Sequence, residues 1–82
     1  MSQLRWAEEL KSERALLAKA DRDIEEGKQR LRRQVDIAAR IRDHGQSPAS
    51  DRLISLTSQL LIEWEKHRSL IVQRIAYLEG AD

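Results

Sequence analysis

Six basic side chains crowd one short stretch of this sequence: Lys28, Arg30, Arg32, Arg33, Arg40 and Arg42, opposed only by Asp36. Cationic groups at that density can follow a phosphate backbone when they share a face. Projected on a helix, Lys28, Arg32, Arg33 and Arg40 fall away from the apolar stripe, over a broad arc. No aromatic is interleaved for base stacking, and no DNA-reading motif surrounds them. The preceding residues 8–26 hold seven carboxylates against four bases. Two antiparallel copies would therefore lay acidic halves on basic ones. A solvated or dimer-pairing face is the first reading of the cluster, a protein partner the second, and phosphate binding the third.

A second chemical candidate is an ion pair. Arg68 projects from the middle of an apolar arc, and folding the chain about Gly45 brings it level with Asp23. Such a pair fixes register and partner choice more than it adds stability. The competing reading is a long stem crossing the seam with its head in water. His67 lies on the flank of the same arc and reads as a surface residue rather than a ligand.

Catalytic constellations are missing from the pattern. Ser12, Ser47, Ser50, Ser55, Ser58 and Ser69 show no nucleophile-elbow spacing. The pairs Glu8–Glu9 and Glu25–Glu26 are adjacent in sequence, so on a helix they diverge and cannot act as paired acid and base. Helical di-metal sites use Glu-x-x-His, and neither His44 nor His67 has a glutamate three residues before it. The sequence reads as a non-enzyme with no cofactor and no metal.

The elements that position these residues are two helices. Leu10, Leu17, Ile24, Leu31 and Ala38 recur every seven positions, as do Thr57, Trp64, Ile71 and Leu78. Between them lies the break Asp43-His44-Gly45-Gln46-Ser47-Pro48. The pattern predicts an all-α fold: an antiparallel two-helix hairpin of coiled-coil type. Helix one should run from about Gln3 to Asp43, the turn over residues 44–47, and helix two over residues 48–79. Asp21 and Asp23 could cap a helix, which sets off residues 1–17 as an N-terminal helical extension of the hairpin, 18–82. Gly45 suits the stop of helix one, Ser47 a cap, Pro48 the first turn of helix two, and Gly80 its end.

Glycine inside a helix costs about 1 kcal/mol relative to alanine. Gly27 carries that cost and falls level with Trp64, the pairing of small with large that a packed seam requires. The arc on helix two, running through Leu53, Leu60, Leu61, Trp64, Ile71, Ile75 and Leu78 with Ile54, Leu56 and Val72 beside it, is wider than one seam needs. Its surplus predicts self-association, most simply a dimeric four-helix bundle. With 82 residues and no cysteine, oligomerisation is also the remaining route to added stability. The predicted protein interface is Leu60, Trp64, Ile71 and Ile75, joined by Trp6 and Leu10, which the count places beyond the reach of helix two.

A net charge of +1 imposes no bulk attraction to nucleic acid or anionic membrane. Charged residues make up 35% of the chain and no apolar run approaches the roughly 18 residues of a membrane span. The start Met-Ser-Gln-Leu-Arg-Trp lacks the features of a signal peptide. The expected setting is cytoplasmic.

The stretch Ala20-Asp21-Arg22-Asp23-Ile24-Glu25-Glu26-Gly27, followed by Arg30 and Gln34, a Gly-Gln-Ser turn and His67-Arg68, resembles a group of short alphaproteobacterial helical-hairpin proteins of uncharacterised activity. The likeness covers about residues 18–78, implies a bacterial cytoplasmic hairpin, and transfers no functional residue. The functional expectation is a non-catalytic interaction or scaffold module. Its alternative is a small RNA- or DNA-binding hairpin laying Lys28, Arg32, Arg33 and Arg40 on phosphates.

Overall fold

The computed structural model describes residues 3–42 and 48–80. It holds two helices, α1 (Gln3–Arg42) and α2 (Pro48–Glu79). The turn expected over residues 44–47, with His44, Gly45 and the Ser47 cap, lies outside the described residues. Pro48 opens α2, where a missing N–H costs nothing. Asp51 sits in that first turn, beside the positive pole of the helix. At the other end the Gly80 N–H donates to the Ala76 carbonyl at 3.1 Å.

The helices are antiparallel. Arg14 meets Glu79, Asp21 meets Arg68, and Gly27 meets Leu61 and Trp64, so numbers rise along α1 as they fall along α2. The molecule measures 63 × 14 × 14 Å. A 40-residue helix at 1.5 Å per residue accounts for nearly all of that length.

Each helix supplies a stripe with alternating spacings of three and four. Trp6, Leu10, Glu13, Leu17, Ala20, Ile24, Gly27, Leu31, Gln34 and Ala38 are all buried or half-buried on α1. Facing them are Ile54, Thr57, Leu61, Trp64, Arg68, Ile71, Ile75 and Leu78 on α2. This is the seam of a two-stranded coiled coil. Its core is thin: Leu10, Ile24, Ala38, Leu61 and Ile71 are its buried large or small hydrophobes, with Thr57 the buried polar residue.

The pairing of Gly27 with Trp64 is present. A Cβ at Gly27 would lie 2.8 Å from Leu61 Cδ2 and 2.9 Å from Trp64 Cζ3, inside the ordinary contact distance of carbon atoms. Glycine at this position lets α2 approach α1 with its bulkiest side chain in the gap. The same α1 column carries Glu13 and Gln34, and Trp6 Nε1, Glu13 Oε2 and Gln34 Oε1 are buried without a hydrogen-bond partner. Half-satisfied polar groups lower the stability of a seam while restricting which helices fit it.

α1 runs continuously through Asp21 and Asp23; Asp23 accepts from Lys19 Nζ at 2.7 Å and Asp21 accepts from Arg68 Nε. One expectation requires correction: Leu10 does not lie beyond helix two. It is 8% exposed, and the neighbouring Glu13 and Arg14 reach Arg74 and Glu79 at the end of α2.

Candidate functional site

A two-helix hairpin has two open faces, one on each side of its seam. The first is polar. Asp21, Glu25 and Lys28 of α1 line a shallow groove with Glu65, Arg68 and Ser69 of α2. Arg68 donates from Nε to Asp21 Oδ1 at 2.5 Å, with side chains 42% and 51% exposed. The predicted partner Asp23 is therefore replaced by Asp21. Residues two apart on a helix point about 200° apart, so only one of these aspartates can face this groove. Exposed pairs of this kind contribute about 0–1 kcal/mol.

The basic residues divide between the faces. Lys28 sits in the polar groove among Asp21, Glu25 and Glu65. Arg32 reaches Glu25 at 3.6 Å. Arg33 and Arg40 are exposed on the back of α1, one heptad apart. The four candidate phosphate ligands spread over an arc of about 140° on α1, and two of them stand beside carboxylates.

The second face is apolar. Glu9, Ser12 and Glu13 of α1 and Arg74 and Tyr77 of α2 line its groove at the open end of the hairpin. Further along α2 the same side carries Leu53, Leu56, Leu60 and Leu70. These four are 51%, 56%, 48% and 53% exposed, and Tyr77 is 76% exposed. Positions 53, 56, 60, 63, 67, 70, 74 and 77 repeat the spacing of three and four found in the seam. They form a second coiled-coil stripe about 100° around α2 from the first. Leu16 and Ile37 of α1 project to the same side.

The single hairpin already buries most of the residues expected at a protein interface. Leu10 and Ile71 are 8% and 1% exposed and are consumed by the hairpin's own seam, as are the half-buried Trp64 and Ile75. Trp6 is half-buried at the open end. Of the six residues only Leu60 is presented outward. Sequence reasoning found Leu53, Leu56 and Leu60 as part of one wide arc but missed Leu70 and Tyr77. The signal was available: two interleaved stripes of identical spacing, of which one closes the hairpin and the other stays open.

Among the described residues, no group of three or more His, Cys, Asp or Glu side chains is placed to hold a metal. No described helix is long and apolar enough to cross a membrane. No protein-family model, curated protein or solved structure matches the chain.

Proposed function

We propose that this chain is a non-catalytic helical-hairpin interaction module, with the outer apolar stripe of α2 as its binding surface and a second copy of itself as the first partner. One observation carries the proposal: four leucines and a tyrosine, roughly half exposed or more, stand at coiled-coil spacing on a single side of α2. A stripe of that kind is complementary to another helix. A cytoplasmic setting belongs to the same reading.

The rival is a phosphate-binding hairpin. Lys28 and Arg32 beside carboxylates weaken that alternative, because their positive potential is partly cancelled before a ligand arrives. The experiment is a measurement of association against concentration, paired with a nucleic-acid titration. An interaction module forms dimers at micromolar concentration and loses them when Leu60 is replaced by aspartate. A nucleic-acid binder instead shows affinity that falls steeply with salt and weakens in the Arg33→Glu/Arg40→Glu variant. A stable monomer with the second behaviour would overturn the proposal.

A further inference from the structure

Resting on that reading, we infer a specific interface: two hairpins pack their outer α2 stripes antiparallel about a twofold axis at the level of Glu65. An isologous interface makes each residue meet the partner residue equidistant from the axis. About Glu65 the stripe pairs Leu53 with Tyr77, Leu56 with Arg74, Leu60 with Leu70 and Glu63 with His67. All eight positions are used. Every pair joins the first position of one three-four step to the second position of another, the layer arrangement of antiparallel coiled coils.

The chemistry of the layers favours this register over its neighbours. Leucine meets leucine or tyrosine in two layers, and the Glu63 carboxylate meets the imidazole of His67. Arg74 extends its stem over Leu56 while its guanidinium reaches Glu13 at 3.5 Å within its own hairpin. Sliding by one heptad in one direction leaves Arg74 and Tyr77 unpaired and puts Leu60 against Glu63. Sliding in the other leaves Leu53 and Leu56 uncovered. Parallel packing would set Glu63 and Arg74 each against its own copy, which like charges oppose.

Charge on α1 places the axis at the same level independently. Gly27 lies against Leu61 and Trp64, and Asp21 against Arg68, so Glu65 is level with about Glu25. That is where α1 changes from its acid-rich residues 8–26 to its basic residues 28–42. A twofold there lays the acidic half of one α1 along the basic half of the other. The α2 stripe alone is roughly 36 Å long and about 10 Å wide, on the order of 700 Å² over both partners. A stable interface needs about 1,200 Å² or more. Leu16 and Ile37, 43% and 52% exposed on the same side, extend the contact onto α1, giving four helices in two layers.

The chain contains no cysteine, so introduced thiols report the register directly. The variant Leu60→Cys/Leu70→Cys should oxidise to a covalent dimer in high yield, and each single variant should not. Within one chain these positions are about 15 Å apart along the helix, too far for a disulfide. A second variant, Leu53→Cys/Leu70→Cys, tests the slipped register and should remain uncrosslinked. A third, Glu63→Arg, should raise the dimer dissociation constant roughly tenfold, and Glu63→Arg/His67→Glu should restore it to within about threefold. Sedimentation of the unmodified chain is measured alongside. A dimer that crosslinks through the 53/70 variant instead, or through neither, overturns the register while leaving self-association standing. A monomer at every concentration overturns the register and the self-association reading together.

Discussion

Replacing Gly27 with alanine should destabilise this hairpin by about 1 kcal/mol, against the sign expected for most helical glycines. Alanine gains about 1 kcal/mol over glycine in a helix interior, partly by restricting the unfolded chain. Opposing that gain, the new methyl would lie 2.8 Å from Leu61 Cδ2 and 2.9 Å from Trp64 Cζ3. Carbon contacts favour about 3.5–4.0 Å, so both neighbours must retreat by more than half an ångström. Overpacking of this size costs about 1–3 kcal/mol, which exceeds the helix gain in most of its range. Leu61 ends in a flexible methyl and yields first, whereas the indole of Trp64 moves only as a rigid plate. The same substitution made in a Trp64→Ala background should become neutral or stabilising, with a coupling of about 1–2 kcal/mol between the two sites. The assay is urea unfolding followed by helical circular dichroism at one fixed protein concentration. Stabilisation by about 1 kcal/mol in the unmodified background would refute the close approach of α2 at Gly27.

Ile71→Ala should lower stability by about 2–5 kcal/mol at any protein concentration, because that side chain is 1% exposed within a single hairpin. Leu70→Ala, one residue away on the outer stripe, should matter only where the chain is associated; thermal melts over a hundredfold dilution series separate the two. Arg68→Ala should cost no more than about 1 kcal/mol, since the pair with Asp21 is about half exposed, and molar salt should remove much of the difference. Asp23→Ala should leave the effect of Arg68→Ala unchanged in a double-mutant cycle, whereas Asp21→Ala should remove most of it.

Much of the architecture was legible because a hairpin of two helices is nearly a one-dimensional object. The positions of Pro48 and Glu79 as helix ends, and the meeting of Gly27 with Trp64, follow from spacing and from counting outward from the turn. What counting omits is direction around each helix. Level alone cannot choose between Asp21 and Asp23 for Arg68, because the two carboxylates leave α1 on opposite flanks. The same omission merged the two stripes of α2 into one arc and assigned Ile71, Ile75 and Trp64 to a partner. The choice of inner stripe follows from shape: Trp64 fits against a glycine on α1, and the outer stripe has no such notch to enter. Leu10 was misplaced for a simpler reason, since the last turn of α2 extends far enough for Glu79 to reach Arg14.

A hairpin returns its chain to the place it left. Arg14 of α1 and Glu79 at the end of α2 lie side by side, on helix axes separated by about 8–10 Å, while Arg42 and Pro48 stand at the far end of the 63 Å rod. Grafted into a surface loop of another protein, such an element would need almost no opening of the host backbone. Joined to its host at those two points, it would act as a boom, carrying its far end about 40 Å away while both feet rest on one spot. Two labels on the feet would report a short distance and two labels along α1 a long one, so a single pair of distance measurements distinguishes the closed hairpin from an extended helix.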